Sequence, residues 1–182
     1  MAERPAAIFV CGGSLGATAV NEVASRALIE LAARQAISIV HQTGKADVEK
    51  ITARYRDAGV TAEVHEFIAD MATQYAQADV VIGRAGATTV AELAIVGKPT
   101  IFIPFPFAAD NHQEHNAREM ADAGAALMFR QAELTPSALA AAVAGLLADA
   151  AVRDAMAAKM RAFARPGAGA EIAAWCAAQA RR

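Results

Sequence analysis

Residues 84–116 read RAGATTVAELAIVGKPTIFIPFPFAADNHQEHN and decide the interpretation of the whole chain. The stretch holds a turn of small residues, a helical segment that ends at Gly97, an apolar run at 99–104 and a polar run at 110–116. Another apolar run, 78–82, comes directly before it. This order predicts a strand, a tight turn, a helix, a second strand and a polar loop. Because the first N–H groups of a helix have no intrahelical partner, such a turn is typical of a site for an anionic ligand.

The rest of the chain repeats this alternation of apolar runs and helical segments. Strands are predicted at 6–11, 37–41, 61–67, 79–82, 99–104 and 125–129. The pattern predicts an α/β fold, a Rossmann-like doubly wound parallel sheet of about six strands in the order 3-2-1-4-5-6. In that order the carboxyl ends of strands 1 and 4 flank a crevice. Two glycine-rich turns, the first at residues 12–17 and the second at residues 84–89, follow these two strands.

Composition excludes some classes of function. The 182 residues carry 17 Lys and Arg against 19 Asp and Glu, and the scattered basic residues give no reason to expect nucleic acid as a partner. Cys11 and Cys176 lie far apart, which is typical of buried thiols in the cytoplasm rather than of a disulfide framework. No signal peptide or membrane span is recognisable, so we expect a cytoplasmic domain large enough to bury a core.

The first glycine-rich turn contains Gly12-Gly13-Ser14-Leu15-Gly16. It gives a tight turn with room for a ligand, although a βα turn without a ligand has the same composition. The residues also match G-x-S-x-G, the nucleophile elbow of serine hydrolases, with Ser14 as nucleophile. That elbow normally lies deeper in the chain, and no histidine lies near the C-terminus, so a hydrolase is a distant alternative.

The second glycine-rich turn offers free N–H groups and two hydroxyls at the start of a helix, where a phosphate gains roughly 0.3–1 kcal/mol from the helix dipole. Thr89 and Glu92 have the T-x-x-E spacing of a capping box, which would be purely structural. If the helix begins near Gly86, Glu92 lies one to two turns in, and its carboxylate can accept both hydroxyls of a ribose. Spacing alone leaves both interpretations open.

The polar run 110–116 is rich in groups that can pair with sugar hydroxyls. His112 and His115 have H-x-x-H spacing, but without a third ligand this is a weak indication of a metal, and no metal site is predicted. Asn111 also fits as a helix cap. Arg84 either faces a phosphate or pairs with a neighbouring carboxylate, and we favour the structural role.

Six segments together resemble the C-terminal domain of the MurG family of bacterial glycosyltransferases: GGSLGA (12–17), HQTG (41–44), EFIADM (66–71), ADVVIGRAGATTVAEL (78–93), GKPTIFIPFP (97–106) and DNHQEHNA (110–117). The resemblance covers essentially the whole chain. It implies one half of a two-domain GT-B glycosyltransferase of family 28. Complete members move N-acetylglucosamine from UDP-GlcNAc to a lipid-linked muramyl-pentapeptide (lipid I), which gives lipid II for peptidoglycan synthesis, with inversion at the sugar. Their C-terminal half binds the donor.

The matched motifs imply a set of donor-binding residues. For the diphosphate they imply Gly13, Ser14, Gly16, Gly86, Ala87, Thr88 and Thr89. The backbone of Ile68, with Phe67 beside it, is implied to meet uracil, and Glu92 to accept the ribose hydroxyls. For the sugar they imply His112 and Gln113, with Asn116 as a support of that turn.

The resemblance also implies what this chain lacks. The catalytic base, the site for the lipid-linked acceptor and the membrane-facing patch belong to an N-terminal domain, so no catalytic residue is expected here. We expect residues 1–165 to form the UDP-sugar-binding domain. Residues 166–182 are expected to form a helix that in the family crosses to the N-terminal domain, here with Trp175 at least partly exposed.

The expected behaviour follows from this division. The isolated chain should bind UDP-GlcNAc with little or no turnover and without a metal or other cofactor. The complete enzyme is expected to be peripheral, on the cytoplasmic face of the inner membrane. The alternative is a natural donor-binding subunit of a two-chain GlcNAc-transferase that acts on a dolichol-linked sugar.

Overall fold

A parallel sheet of six strands organises the protein, in the order β3-β2-β1-β4-β5-β6. The computed structural model describes residues 4–13 and 16–180. The strands are β1 Ala6–Cys11, β2 Ile37–Gln42, β3 Glu63–His65, β4 Val80–Gly83, β5 Thr100–Phe102 and β6 Leu127–Met128. The predicted strand order and the α/β fold are confirmed. Ser14 lies outside the described residues.

Helices connect the strands and cover both faces of the sheet. They are α1 Thr18–Ala32, α2 Val48–Asp57, α3 Met71–Gln77, α4 Ala87–Val96, α5 His112–Asp122, α6 Pro136–Ala148, α7 Ala150–Arg161 and α8 Ala168–Gln179. A short 3-10 turn, Ala109–Asn111, precedes α5. None of the helices in the described ranges has the length and apolarity needed to cross a membrane.

The core has two parts because successive side chains of a strand point to opposite faces of the sheet. In β1, Ile8 and Val10 join the apolar cluster on one face, whereas Phe9 and Cys11 join the cluster on the other. Both faces are therefore buried, which explains why the strand is continuously apolar rather than alternating.

Local sequence features define the ends of several helices. The Asp70 side chain caps α3 by accepting a hydrogen bond from the Thr73 N–H at 3.0 Å. Thr135 caps α6 in the same way, with Pro136 at the first helical position. Gly97 ends α4 in the left-handed conformation, with φ 70°.

Three predicted strands are longer than the observed ones. The runs 61–67, 99–104 and 125–129 shorten to β3, β5 and β6, of which β3 and β6 are edge strands, each paired on one side. Beyond β3 the chain leaves the sheet, and the Ile68 N–H donates to the Gln42 side chain instead of to a backbone carbonyl. An apolar run therefore overestimates the length of a strand, because hydrogen bonds to a neighbouring strand, and not apolar side chains, define where the strand ends.

Helix α8 is the least integrated part of the fold. None of its residues is buried, and Trp175 is 65% exposed, as predicted. Cys176 is exposed as well, so the expectation that both thiols are buried is wrong for this residue. The prediction holds for Cys11, which lies in a central strand.

Candidate functional site

Strands β1 and β4 are neighbours, and their last residues, Cys11 and Gly83, are aligned in the sheet. The first and second glycine-rich turns therefore leave the same edge side by side. Two cavities lie at this edge, one of about 420 Å³ and one of about 550 Å³. We call them the Glu92 cavity and the Gln113 cavity, after a residue that lines each. Gly13 lines both.

The Glu92 cavity collects most of the predicted site residues. Its lining includes Gly13, Phe67, Ile68, Gly86, Ala87, Thr88, Thr89 and Glu92. These residues come from the first turn, from the segment after β3 and from the start of α4. Residues distant in sequence are thus brought to one cavity by the strand order.

The first glycine-rich turn depends on two left-handed glycines, Gly13 with φ 88° and Gly16 with φ 79°. The Gly16 N–H donates to the Gly13 carbonyl oxygen at 3.0 Å, which closes the turn. A methyl group at Gly16 would collide with the backbone carbonyl of Thr43. The left-handed backbone conformation of Gly16 and the close approach of Thr43 both require glycine at this position.

Buried side chains hold the backbone beside this turn. Asn21 Nδ2 donates to the Thr43 carbonyl and to Asp47 Oδ2, both at 2.8 Å. His41 lies 3.1 Å from Asn21 Oδ1 through Nε2 and 3.1 Å from the Tyr55 hydroxyl through Nδ1. Burial lowers the pKa of His41 to about 3, against an opposing effect of Asp47. His41 is therefore neutral and structural, with both ring nitrogens engaged.

The start of α4 rules out the capping-box interpretation of Glu92. The helix begins at Ala87, with Gly86 as its N-cap and no side-chain capping bond. Thr89 is thus the third helical residue, and the T-x-x-E capping box is not formed. Glu92 lies in the second turn, lines the cavity, and accepts a hydrogen bond at 3.2 Å from the Tyr75 hydroxyl.

Gln42, at the end of β2, links two parts of the Glu92 cavity. Its Oε1 accepts a hydrogen bond from the Ile68 N–H at 2.8 Å, and its Nε2 donates to the Gly13 carbonyl at 3.2 Å. Ile68 is 9% exposed, whereas Phe67 beside it is 60% exposed. Sequence reasoning missed Gln42 as a site residue. The available signal was a polar residue at the carboxyl end of a buried strand.

Arg84 is structural, but not through the expected carboxylate. Its Nη1 donates to the carbonyls of Ile103 and Pro104 at 2.9 and 3.0 Å, and its Nη2 donates to Gln131 Oε1 at 2.7 Å. Burial lowers the pKa of Arg84 to about 10. The guanidinium lies 5.3 Å from the centre of the Phe105 ring and lines the Gln113 cavity.

Two residues of the polar run 110–116 contribute to the site: one lines the Gln113 cavity, and the other supports the second glycine-rich turn. Gln113 lines the Gln113 cavity, and its Oε1 accepts a hydrogen bond from the Phe105 N–H at 3.0 Å. Asn116 Nδ2 donates to the Ala85 carbonyl at 3.0 Å and so braces the second glycine-rich turn.

His112 is exposed, contacts the Ala109 carbonyl through Nδ1 at 2.8 Å, and lines neither cavity. Asn111 occupies the N-cap position of α5 with φ 53°, but its side chain makes no capping bond.

Within 4–13 and 16–180, no three His, Cys, Asp or Glu side chains are grouped in a way that could hold a metal ion.

Comparison with known proteins gives the family. Residues 7–170 match the glycosyltransferase family 28 C-terminal domain. The chain belongs to this family. The N-acetylglucosamine transferase of Myxococcus xanthus, named for transfer to N-acetylmuramyl-(pentapeptide) pyrophosphoryl-undecaprenol, is 48% identical over 170 residues, which is 93% of this chain and 44% of the relative. The protein of the same name from Anaeromyxobacter sp. Fw109-5 is 46% identical over 96% of this chain and 46% of the relative.

Solved structures agree with this assignment. MurG from Acinetobacter baumannii superposes with a TM-score of 0.85 at 41% identity, over 94% of this chain and 49% of that one. The calicheamicin glycosyltransferase CalG4 has a TM-score of 0.68 at 19% identity, over 97% of this chain and 44% of that one, and shows the fold alone. The family 28 chain spans about half the length of the relatives it matches and corresponds to the C-terminal half of MurG.

Proposed function

We propose that this chain is the donor-binding half of a MurG-type N-acetylglucosaminyltransferase and that it binds UDP-GlcNAc across the Glu92 and Gln113 cavities. The observation that carries the proposal is the Glu92 cavity itself. This cavity has a volume of about 420 Å³, and its lining combines a helix N-terminus, a carboxylate and the buried backbone segment at Ile68. These are the groups that a phosphate, a ribose and a base require.

The donor is proposed to lie along this edge of the sheet. Uracil lies against Ile68 and Phe67, and the ribose hydroxyls donate to Glu92. The diphosphate lies between the first glycine-rich turn, through Gly13, Ser14 and Gly16, and the start of α4, through Gly86, Ala87, Thr88 and Thr89. The sugar extends into the Gln113 cavity, of about 550 Å³, towards Gln113 and His112. Asn116 holds the second turn in place through Ala85.

The proposed reaction is an inverting displacement at the anomeric carbon of GlcNAc. The acceptor hydroxyl forms the new bond while the bond to the diphosphate breaks and UDP departs. The N-terminus of α4 and the N–H groups of the first turn stabilise the charge that develops on the leaving group, so we propose that donor binding needs no metal. The base that removes the proton from the acceptor and the site for the lipid-linked acceptor are proposed to belong to an N-terminal half.

The same division predicts the behaviour of this chain alone. It should bind the donor with reduced affinity, since closure of a second domain is missing, and should turn over little or none of it. We propose that the complete enzyme acts at the cytoplasmic face of the membrane, with membrane contact through the N-terminal half.

Calorimetric titration tests the proposal. UDP and UDP-GlcNAc should bind, with and without EDTA, and Glu92→Gln should weaken both about tenfold or more through loss of a charged acceptor for the ribose. Glu119→Gln, an exposed change on α5, is the matched control and should bind normally. Failure of the unaltered chain to bind any uridine nucleotide would refute the proposal.

Activity assays separate this function from the serine hydrolase. UDP release from UDP-GlcNAc in the presence of a lipid-linked acceptor should stay at background. Hydrolysis of an ester substrate that is abolished by Ser14→Ala would establish the hydrolase instead.

A further inference from the structure

Tyr75 of α3 contacts Glu92 of α4, and both residues line the Glu92 cavity. The Tyr75 hydroxyl donates to Glu92 Oε2 at 3.2 Å, and the Tyr75 side chain is 1% exposed. The ring of Phe9 packs edge-on against that of Tyr75, with centroids 5.6 Å apart and planes at 65°. The tyrosine is therefore fixed by the core, and it presents its hydroxyl to a residue at the surface of the cavity.

Glu92 lies between two spaces that its side chain could enter. One is the Glu92 cavity, and the other is a smaller apolar cavity of about 200 Å³ that includes Met71, Ile95 and Val96 in its wall. Tyr75 and Glu92 line both. Across the described part of the chain, the Tyr75 hydroxyl is the hydrogen-bond donor found for this carboxylate. A glutamate held at one oxygen keeps its position, whereas an unheld one has the rotamer freedom of a flexible side chain.

The hydroxyl is suited to this task at physiological pH. Burial raises the pKa of Tyr75 well above its usual value, and the nearby Cys11 and Glu92 raise it further. The group therefore keeps its single proton and acts as a donor. It occupies one side of Oε2, so that Oε1 and the remaining lone pair of Oε2 are available to a ligand.

We infer that Tyr75 is a positioning residue for ribose recognition: it fixes the Glu92 carboxylate so that the two oxygens meet a pair of vicinal hydroxyls of a nucleotide. The inference rests on the proposed function, because it deepens the role of Glu92 in that site. Tyr75 does not contact the ligand in this account. Its effect should reach only those ligands that carry the hydroxyls that Glu92 accepts.

The test compares UDP with 2′,3′-dideoxy-UDP by calorimetry, using Tyr75→Phe. The unaltered chain should prefer UDP. Tyr75→Phe should weaken UDP binding about three- to tenfold, as expected from the loss of one hydrogen bond, and leave dideoxy-UDP binding unchanged. In a Glu92→Ala background, Tyr75→Phe should have no further effect on UDP binding, because no carboxylate remains to be positioned.

Tyr55→Phe is the matched control, since it removes another buried tyrosine hydroxyl, the one that contacts His41. This variant should keep the preference for UDP. Equal weakening of UDP and dideoxy-UDP by Tyr75→Phe would overturn the inference, because it would indicate a general structural effect. An unchanged UDP affinity in Tyr75→Phe, while Glu92→Ala removes the preference, would overturn the inference and leave the proposed function intact. Absence of UDP binding by the unaltered chain would overturn both.

A second measurement avoids substitution at Tyr75. The chain has two tyrosines, so labelling of tyrosine Cζ with ¹³C gives two resonances that Tyr55→Phe assigns. The Tyr75 resonance should move further with UDP than with dideoxy-UDP, since hydroxyls bound to Glu92 compete for its charge. Equal movement with the two ligands would overturn the inference.

Discussion

The Oε1 atom of Gln42 accepts a hydrogen bond from the backbone N–H of Ile68 at 2.8 Å. This contact engages the backbone N–H of Ile68, the residue whose backbone is proposed to bind uracil. The carbonyl oxygen of Ile68 is therefore available to a base, whereas the N–H of Ile68 can bind the base only if it is shared with Gln42. Since Gln42 Nε2 also donates to Gly13, one amide couples the proposed base and diphosphate positions.

Replacement of Gln42 by Met should lower both the stability of the fold and the affinity for UDP. Methionine has a similar length but cannot accept the Ile68 N–H, so the stability of the fold should fall by about 1–3 kcal/mol. Binding of UDP should weaken because the segment after β3 loses its tie to the first turn. Urea unfolding and calorimetry check both effects. Gln35→Met, at an exposed position, is the control and should change neither quantity.

Two glycines of the first turn should differ in their tolerance of alanine. Both have positive φ, but a methyl group at Gly13 meets no atom within 4 Å among the described residues, whereas one at Gly16 collides with the Thr43 carbonyl. Gly13→Ala should therefore cost about 1–2 kcal/mol from backbone strain alone. Gly16→Ala should cost about 3 kcal/mol or more, since the backbone itself must shift. Thermal unfolding of the two variants measures the difference, and equal costs would contradict the packing described for Thr43.

Much of the fold could be predicted from the sequence because its signals are local. Thr135-Pro136, Asp70 and Gly97 each act through their own backbone, so their effects are visible without tertiary structure. The strand order followed from the alternation of elements and from the handedness of crossovers. Strands β3, β5 and β6 were overestimated because pairing with a neighbour, and not apolarity, sets their ends.

The candidate site was only partly predictable, because side-chain partners depend on the fold. Gln42, Tyr75 and Arg84 contact residues from 17 to 47 positions away, such as Tyr75 with Glu92 and Arg84 with Gln131. No spacing rule covers such distances. The capping box of Thr89 and Glu92 was excluded only by the structure, because T-x-x-E spacing fits a capping box until the first helical residue of α4 is known.

The buried His41 should make stability depend on pH. Its pKa in the folded state is about 3, below the value of about 6.5 in an unfolded chain. Between pH 3 and pH 6.5, His41 is protonated in the unfolded chain but not in the folded chain. The stabilisation is thus complete above pH 6.5 and is lost as pH falls towards 3, by up to about 1.4 kcal/mol per pH unit.

Urea unfolding between about pH 5 and 7 measures this slope. His41→Gln should flatten it, because glutamine does not titrate, even if the variant is less stable throughout. His65→Gln, at an exposed position, should leave the slope unchanged. A slope that survives His41→Gln would have to arise from the carboxylates and would contradict the assignment.

Removal of residues 166–182 tests whether the domain is complete at residue 165, as the sequence predicted. Helix α8 has no buried residue, and Ile172 and Trp175 are 63% and 65% exposed. Its removal therefore eliminates little buried apolar surface and should lower the free energy of unfolding by less than about 1 kcal/mol. Met160 of α7 is fully buried, and Met160→Ala should cost about 2–5 kcal/mol by leaving a cavity. Urea unfolding compares the two, and UDP binding should survive the truncation. If the truncation cost as much as Met160→Ala, α8 would have to pack on the sheet domain, and the exposure of Trp175 would not describe the protein in solution.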